Sequence, residues 1–326
     1  MKIQRLVFTE QGRCEVEDAE LDEQLGPGEV LVRNRCLLIS AGAELAMFTR
    51  THRGFDVPDF AHARYPFYPG HAALGEIVAG NDEWKPGQRV FHAGRHATHA
   101  KLSALALTPA PEGLPDEQAV FFRPAQVALT APRLAPVRLG EQVLVIGVGV
   151  LGNVCAQLYA LSGAALVAAA DVSAARLERA RACGLEKLFC TGTKPLGEWL
   201  KELGKRGPEI VVEASGSSSG ILDALEAAVN RGLVVLLGEP RARIEVDPYF
   251  QIFRKGIALI GAPETSVGAP TRKQDQAFLM ELLRSGRLRV APLLTHRLPF
   301  AQAHEAYAGL RDKPDEYLGV VLTLGS

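Results

Sequence analysis

Three glycines with the spacing of a pyrophosphate-binding turn directly follow an apolar run, VLVI, near the middle of the chain. They are Gly147, Gly149 and Gly152, a G-x-G-x-x-G motif, and a helical pattern opens with Val150 and Leu151. In such a motif the glycines permit a tight turn, close approach of the backbone to a pyrophosphate, and close packing of the helix on the strand. The first N–H groups of the helix attract an anion. The motif therefore predicts a dinucleotide-binding turn.

An acidic residue, Asp171, ends the next apolar run, nineteen positions after Gly152. A carboxylate at this place accepts hydrogen bonds from the adenosine ribose hydroxyls and repels a 2′-phosphate. We therefore expect NAD(H) as the cofactor, with NADP(H) disfavoured. The alternative is a structural tight turn between a core strand and its helix. Because strand, helix, second strand and acid occur in register, the cofactor site is favoured.

These residues lie within a longer alternation of apolar strands and helical patterns that begins near Ala119. Six apolar runs with helices between them predict a doubly wound parallel sheet, in which ligands bind at the carboxyl ends of the strands. Two short segments, Ser215-Gly216 and Gly238-Glu239, follow the fourth and fifth runs. We expect them to lie along the cofactor, although they could equally be simple strand-ending turns.

The first third of the chain has a different pattern, with short β-like runs between glycine and proline turns. It predicts a small β-rich domain. The segment Met47–Pro66 has no sustained period and is predicted to be a surface loop near the site. The last segment, Leu293–Ser326, reads as strand, helix and strand, and we expect it to return to the first domain. The predicted strands of the first third are Ile3–Phe8, Glu29–Leu38, Gly75–Ala79, Gln88–His92 and Ala100–Leu107.

The composition is that of an ordinary soluble enzyme. The 326 residues include 36 basic and 37 acidic side chains, so no charge excess points to nucleic acid or an anionic membrane. No apolar run is long enough to span a bilayer, and the N-terminus lacks the apolar core of a signal peptide, so we expect a cytoplasmic protein. The five cysteines are widely spaced and predict neither a disulfide framework nor a cysteine zinc cluster: Cys14, Cys36, Cys155, Cys183 and Cys190.

A series of short motifs, in a fixed order along nearly the whole chain, resembles the medium-chain dehydrogenase/reductase family, the alcohol dehydrogenase superfamily. The motifs are EVLVRNRCLLIS with AGAE, YPGHAALGEIV, KPGQRVF, LGEQVLVIGVGVLGNVCAQLYALSG, VVEASG, THRLPFAQAHEAY and GVVL. The resemblance implies an α/β fold in which a Rossmann doubly wound parallel sheet (124–262) is inserted in a β-rich GroES-like domain (1–123 and 263–326). It also implies a nicotinamide in the cleft between the two, a small-molecule substrate, and a homodimer or homotetramer.

The zinc-ligand positions of that family are changed in this sequence. Ser40-Ala41 replaces the first cysteine, Ala72 replaces the acid after Gly70-His71, and Arg123 falls at or beside the third ligand. A catalytic zinc needs about three protein ligands, so we expect no zinc. The sequence resembles the zinc-independent branch that contains bacteriochlorophyllide dehydrogenase. A replacement metal site of His92, His96 and His99 is disfavoured because His99, on a strand, would face away from the other two.

Three residues occupy positions that the resemblance places near the nicotinamide: Glu44, His71 and Arg123. We predict that His71 is the acid/base, because an imidazole titrates near neutral pH; the alternative is a histidine hydrogen-bonded in the core. Arg123 could bind an anionic substrate or stabilise an oxyanion; its alternative role is an ion pair with Glu44. Secondary candidates are Tyr65, Tyr68 and His92, with Gln126 and Val127 placed near the nicotinamide by position alone.

Three classes of function fit these residues. The leading hypothesis is an NAD(H)-dependent alcohol or sugar dehydrogenase that works without zinc. The second is a reductase of activated double bonds, such as an enoyl or quinone reductase. The third is a non-enzymatic NAD(H)-binding sensor or scaffold. Asp171 and the Gly70-His71 pair favour the first, while the substrate itself is set by loops that carry no transferable signal.

Overall fold

The computed structural model of the chain describes residues 1–203, 207–266 and 269–325. The chain divides into two compact units. Unit 1 comprises Met1–Arg123, Phe278–Arg287 and Leu293–Ser326, and unit 2 comprises Pro124–Ala277 and Leu288–Pro292. Over the described ranges, no helix is both long and apolar enough to cross a membrane.

The described residues form the following strands and helices. The strands are β1 (Lys2–Glu10), β2 (Arg13–Glu20), β3 (Glu29–Leu38), β4 (Ala73–Ala79), β5 (Arg89–His92), β6 (His99–Ser103), β7 (Thr108–Pro109), β8 (Gln142–Ile146), β9 (Leu166–Asp171), β10 (Lys187–Cys190), β11 (Ile210–Glu213), β12 (Leu233–Leu236), β13 (Ala258–Gly261), β14 (Leu294–Pro299) and β15 (Gly319–Thr323). The α-helices are α1 (Ala43–Phe48), α2 (Asp116–Ala119), α3 (Phe122–Leu134), α4 (Val150–Leu161), α5 (Ala174–Ala182), α6 (Leu196–Leu203), α7 (Ser218–Ala227), α8 (Ala269–Arg284) and α9 (Ala303–Asp312). Short 3₁₀ helices cover Arg53–Asp56, Ala104–Ala106, Glu264–Ser266, Ala291–Leu293 and Phe300–Gln302, and a π-helix covers Pro248–Phe253.

Unit 1 is built on a seven-stranded, mostly antiparallel sheet with the order β14-β15-β3-β4-β5-β7, in which β6 also pairs with β3. β1 and β2 form a separate antiparallel hairpin. The C-terminal strand β15 pairs with β3 through Val321 and Leu38, so the end of the chain joins the sheet of the N-terminal region. The β-rich domain that the sequence predicts is confirmed.

An aromatic cluster forms the core of unit 1. Phe8, Phe48 and Tyr307 are fully buried, and their ring centroids lie 4.9 to 5.5 Å apart. Burying such rings dominates the stability of a core, because each removes a large apolar area from water. This cluster connects β1, α1 and α9, and it fixes the position of the Tyr307 hydroxyl.

Unit 2 is built on a six-stranded parallel sheet with the order β10-β9-β8-β11-β12-β13. The central strand β8 is fully buried at Val143, Leu144 and Val145, as expected of a parallel strand covered on both faces. The order reverses between β8 and β11, and in such sheets ligands bind at this switch point, outside the carboxyl ends of the strands. The predicted doubly wound sheet is confirmed.

Several elements differ from the prediction. Strand β2 was not predicted, because its residues, RCEVEDAE, form no apolar run, and the two-residue strand β7 was not predicted either. Strand β6 ends at Ser103, earlier than predicted, because the Ser103 hydroxyl accepts a hydrogen bond from the backbone N–H of Leu105 and starts a 3₁₀ turn. The segment predicted as a loop from Met47 to Pro66 begins inside α1, whose last residues are buried, and it contains a 3₁₀ turn at Arg53–Asp56. The remainder of that segment has no regular structure.

The division into units agrees with the first predicted domain boundary, after Arg123, but differs from the prediction over residues 263–277 and 288–292. Helix α8 begins in unit 2 and ends in unit 1, so the boundary between the two units falls within this helix. Which function each range serves stays a prediction.

Candidate active site and dinucleotide site

A buried carboxylate, Glu44, forms the centre of a polar cluster in unit 1. Its side chain is 4% exposed. Oε1 lies 2.8 Å from Nδ1 of His71, and Oε2 lies 3.2 Å from Nε2 of His96 and 2.5 Å from the hydroxyl of Tyr307, which donates to it. Burial of a carboxylate is costly unless it is hydrogen-bonded or paired. These three groups together satisfy that condition.

Local turns bring the members of this cluster together. Glu44 lies in the first turn of α1, which follows β3 through a turn in which Ser40 Oγ accepts a hydrogen bond from the N–H of Ala43. His71 lies two residues before the start of β4 and follows Gly70, whose φ is +132°. A Cβ on Gly70 would lie 2.3 Å from the backbone nitrogen of His96. Only glycine therefore lets the two histidine-bearing segments approach this closely.

The cluster holds Glu44 ionised. Burial opposes ionisation of the carboxyl, but the charge of His96 and hydrogen bonds from His71 and His96 outweigh it, so the pKa of Glu44 lies well below its usual range. The same carboxylate acts on its neighbours. Burial, with Glu44 adding to it, raises the pKa of Tyr307 well above its usual value and that of the Cys14 thiol to about 12. Both groups therefore stay protonated at neutral pH.

His71 is the member of the cluster that reaches the surface, since its side chain is 29% exposed. When its Nδ1–H donates to Glu44, its Nε2 carries a lone pair and can accept a proton. A carboxylate that fixes the tautomer and orientation of an imidazole in this way is a recurring arrangement in acid/base catalysis. His96, by contrast, is fully buried, and its Nδ1 has no hydrogen-bond partner among the described residues.

Arg123 lies in the first turn of α3 and is half-buried. In the described part of the chain, the hydrogen-bond partners of Glu44 are His71, His96 and Tyr307. The ion pair between Arg123 and Glu44, which was the alternative role for this arginine, is not among them. Two histidines and a tyrosine satisfy the carboxylate instead.

The secondary candidates have structural partners. The Tyr65 hydroxyl donates to the carbonyl of Met47 at 2.6 Å, and the Tyr68 hydroxyl accepts from Arg5 at 3.3 Å. His92 is buried with its Nε2 2.7 Å from Oδ1 of Asn34, and burial lowers its pKa to about 4. A neutral, enclosed imidazole of this kind has no access to a substrate.

The donor set does not fit the catalytic zinc of the family's zinc-dependent members. Across residues 1–203, 207–266 and 269–325, no group of three or more histidine, cysteine, aspartate or glutamate side chains could hold a metal ion. Glu44, His71 and His96 do converge, but their oxygen and nitrogen atoms are hydrogen-bonded to one another, at 2.8 and 3.2 Å. That the protein contains no zinc stays a prediction.

The glycine motif of unit 2 forms a turn between β8 and α4. Gly147 has a φ of +86°. A Cβ on Gly152 would lie 1.9 Å from the carbonyl oxygen of Gly147, so a side chain at position 152 would collide with the turn. A Cβ on Gly149 would meet nothing within 4 Å, so the space beside this residue is open to a ligand. Helix α4 begins at Val150, followed by Leu151, and its N-terminus has no side-chain cap. The turn fits a bound pyrophosphate.

Asp171 contacts this turn directly. Its Oδ2 accepts a hydrogen bond from the N–H of Val148 at 2.7 Å, and its Oδ1 accepts one from Ser173 at 2.8 Å. The residue is 4% exposed. The carboxylate therefore shapes the glycine turn as well as standing at the end of β9. Each oxygen can accept a further hydrogen bond, and its contact with a ribose stays a prediction.

The structure brings the other predicted cofactor residues together at the ends of β11 and β12. A Cβ on Gly216 would lie 2.2 Å from the carbonyl oxygen of Glu239, and one on Gly238 would lie 2.5 Å from the nitrogen of Gly216. Ser215 and Gly216 donate their backbone N–H groups to the buried carboxylate of Glu213. Whether these residues contact a cofactor stays a prediction.

Three residues of these two sites were not predicted from the sequence: His96 as a partner of Glu44, Tyr307, and Glu213. His96 was considered only as a metal ligand. Tyr307 lies in α9, 263 positions from Glu44, and nothing in its helical pattern marks it. Glu213 ends an apolar run, as Asp171 does, and that likeness could have identified it.

Known proteins resemble this chain in sequence and in fold. Residues 150–281 match the family model of zinc-binding dehydrogenases. The chain is 30% identical over 238 residues to L-threonine 3-dehydrogenase of Ruegeria pomeroyi, covering 72% of this chain and 67% of that protein. It is 28% identical over 269 residues to D-guloside 3-dehydrogenase of Shigella flexneri, covering 77% and 75%.

The fold matches solved structures over nearly the whole chain. Galactitol-1-phosphate dehydrogenase from Escherichia coli superposes with a TM-score of 0.83 at 21% identity, covering 98% of this chain and all of that one. At this identity the match shows the fold, and the sequence relatives show the family. The chain belongs to the medium-chain, zinc-type alcohol dehydrogenase superfamily, a family of pyridine-nucleotide-dependent oxidoreductases.

Proposed function

We propose that the protein is an NAD(H)-dependent dehydrogenase that transfers hydride between nicotinamide and a hydroxyl or carbonyl substrate of alcohol or sugar type, without a catalytic zinc. The relatives named D-guloside 3-dehydrogenase and L-threonine 3-dehydrogenase support a hydroxyl substrate over an activated double bond. We also propose that the protein belongs to the zinc-independent, bacteriochlorophyllide dehydrogenase-like branch. This assignment rests on the changed zinc-ligand positions.

The observation that carries this proposal is the pair of Glu44 and His71. Oxidation of a hydroxyl needs a base for the O–H proton, and zinc-dependent enzymes assist that loss with the metal. Here a buried carboxylate 2.8 Å from Nδ1 orients a half-exposed imidazole and stabilises its protonated form. The chain therefore supplies a proton acceptor without a metal.

In the direction of oxidation, Nε2 of His71 takes the hydroxyl proton and Glu44 stabilises the imidazolium that forms. The carbon–hydrogen bond breaks with its electron pair leaving as hydride, and the carbon–oxygen double bond forms. When bound, nicotinamide supplies the hydride acceptor, or the donor in the reverse direction. In reduction, the same nitrogen of His71 returns the proton to the oxygen.

The residues that would hold the cofactor are those of the glycine turn and of the strand ends in unit 2. The N-terminus of α4 and the backbone around Gly149 would bind the pyrophosphate. Asp171 would accept hydrogen bonds from the adenosine ribose. The segments Ser215-Gly216 and Gly238-Glu239 would lie along the rest of the molecule, because they follow adjacent strands at the switch point.

We expect NADH to bind at least about tenfold more tightly than NADPH, a difference of about 1.4 kcal/mol, because Asp171 repels a 2′-phosphate. Dissociation constants from fluorescence titration test this. Asp171→Asn keeps the shape of the side chain and can keep one of its two backbone hydrogen bonds, but it removes the charge. It should therefore reduce the ratio of the two affinities. Tighter binding of NADPH by the unaltered protein would contradict the assignment.

We expect the purified protein to contain no stoichiometric zinc, because Ser40, Ala72 and Arg123 stand at the family's ligand positions and supply no ligand. The remaining candidates, Glu44, His71 and His96, are hydrogen-bonded to one another. Elemental analysis after dialysis against a zinc-containing buffer and then a zinc-free buffer measures this. A content of one zinc per chain would show that other residues form a metal site, and it would overturn the metal-free mechanism.

We further propose that the protein acts on a small molecule as a homodimer or homotetramer, without a nucleic-acid or membrane partner. Three aromatic side chains of the π-helix support self-association, since Tyr249, Phe250 and Phe253 are 54 to 77% exposed. Native mass spectrometry counts the subunits, and a monomer at micromolar concentration would contradict this proposal.

A further inference from the structure

A cavity of about 580 Å³ lies in unit 1, in the irregular segment just before His71. Its polar lining consists of His62, Arg64, Tyr65, Tyr68 and Arg95, and no acidic residue takes part. In a chain whose basic and acidic side chains nearly balance, a cavity lined by two guanidinium groups and an imidazole without a carboxylate is a local concentration of positive charge.

The charge of the two arginines that line the cavity is not neutralised by the protein. Arg64 and Arg95 are exposed, and neither forms an ion pair in the part of the chain that the structure describes. The neighbouring Arg5 differs, because it is paired with Glu17 at 2.6 Å. Arg5 and Arg95 both approach the ring of Tyr68, with their guanidinium carbons 4.3 and 5.0 Å from its centroid. These contacts hold the side chain of Arg95 at the cavity without compensating its charge.

The two segments of chain that line the cavity also carry His71 and His96, two of the hydrogen-bond partners of Glu44. Tyr68 precedes His71 by three residues, and three extended residues span at most about 11 Å. Arg95 directly precedes His96, whose backbone N–H donates to the carbonyl of Pro69 at 2.8 Å. The backbone of Tyr68 therefore lies within about 11 Å of the backbone of His71, and the cavity and the imidazole belong to the same part of unit 1.

We propose that this cavity binds an anionic group of the substrate, a phosphate or a carboxylate, while the hydroxyl that is oxidised lies at His71. The substrate is then a phosphorylated polyol or sugar, or a hydroxy acid. Guanidinium groups suit both anions, since their planar N–H donors form paired hydrogen bonds with two oxygens. This inference rests on the proposed function for the position of the hydroxyl, whereas the binding of the anion does not depend on it.

Anion binding is measured first, without any reaction. Inorganic phosphate and malonate are titrated calorimetrically into the protein in a chloride buffer, one probe for each class of anion. We expect at least one of them to bind, and the Arg64→Ala/Arg95→Ala double variant to weaken that binding at least tenfold. The probe that binds more tightly identifies the class. Arg287→Ala, an exposed arginine of the same unit outside the cavity, should bind as the unaltered protein does.

Equal anion binding by the double alanine variant and the unaltered protein would overturn the proposal. If Arg287→Ala weakened anion binding as much as the double alanine variant does, the proposal would also fail, because the anion would then be attracted by the positive charge of the surface in general. The Arg64→Lys/Arg95→Lys double variant is the control for a folding defect in the double alanine variant. It keeps the charge but not the paired donors, and it should bind more weakly than the unaltered protein but more tightly than the alanine variant. If the double alanine and double lysine variants both lose anion binding while their melting temperatures stay unchanged, the result also supports anion binding at the cavity.

Turnover separates this proposal from the proposed function. Reduction of NAD⁺ is followed with sorbitol, sorbitol 6-phosphate and gluconate, which share a polyol chain and differ in their anionic group. We expect an anionic member to have at least tenfold higher kcat/KM, and the double alanine variant to lose this preference through KM. If anions bind in the cavity but no hydroxyl compound is oxidised, the proposed function fails and the anion site stands. If neutral sorbitol is the best substrate, the assignment of substrate class is wrong.

Discussion

Replacing His71 by Ala should lower turnover ~10²–10⁴-fold, the loss typical of a missing general acid or base, while the affinity for NADH changes little. The reason is that His71 is the half-exposed member of the Glu44 cluster and the glycine turn belongs to a different unit. Single-turnover hydride transfer and NADH titration measure the two effects separately.

His99→Ala is the matched control for that experiment. His99 is a half-buried histidine of the same unit, its ring nitrogen Nδ1 lies 3.2 Å from the Thr98 hydroxyl, and it takes no part in the Glu44 cluster. It should retain normal turnover. Normal hydride transfer in a destabilised His71→Ala protein would remove His71 from the mechanism and leave it a structural residue. The melting temperatures of both variants are therefore measured alongside.

Replacing Glu44 by Gln should reduce both turnover and stability. Three donors point at two carboxylate oxygens, whereas an amide offers one oxygen and brings its own N–H groups, so at least one buried donor loses its acceptor. We expect a loss of about 3 kcal/mol in the free energy of unfolding. Turnover should fall ~10²-fold or more, because the tautomer of His71 is no longer fixed. Urea unfolding and single-turnover kinetics measure the two losses.

Tyr307→Phe separates the structural from the chemical role of the cluster. It removes the donor to Oε2 of Glu44 but leaves the contact of Oε1 with His71, so it should cost about 1.5 kcal/mol of stability and leave turnover nearly unchanged. If Tyr307→Phe lowers turnover as much as Glu44→Gln does, the carboxylate does not act through His71, and the proposed mechanism is incorrect.

The pH dependence of stability gives a further readout of Glu44→Gln. The pKa of Glu44 is depressed in the folded state, so its contribution is fully present above the ordinary pKa of a glutamate, ~4.3. It is lost as the pH falls from there towards the folded-state pKa, because the unfolded chain takes up the proton first. The stability difference between the unaltered protein and Glu44→Gln should therefore shrink as the pH falls below about 4.

The sequence by itself determined the architecture of unit 2. Its strands are short runs of apolar residues, its first turn contains three glycines at fixed spacing, and an acid ends the second strand. Such features act locally, since apolar runs and glycine turns favour their own backbone conformation. The order of strands then follows from the few topologies open to alternating strands and helices. The short β-like runs between glycine and proline turns likewise indicated the β-rich domain, and the resemblance to the family directed attention to Glu44 and His71.

Only the tertiary structure decided what surrounds these side chains. The partners of Glu44 come from a loop before β4, a loop between β5 and β6, and helix α9, and no spacing along the chain links them. It likewise showed that Asp171 bonds to Val148, and that Arg64 and Arg95 line one cavity. A buried polar group is satisfied by whichever donors packing brings within about 3 Å. That packing depends on the whole core, so the residue types could indicate a proton-transfer site but not its hydrogen bonds.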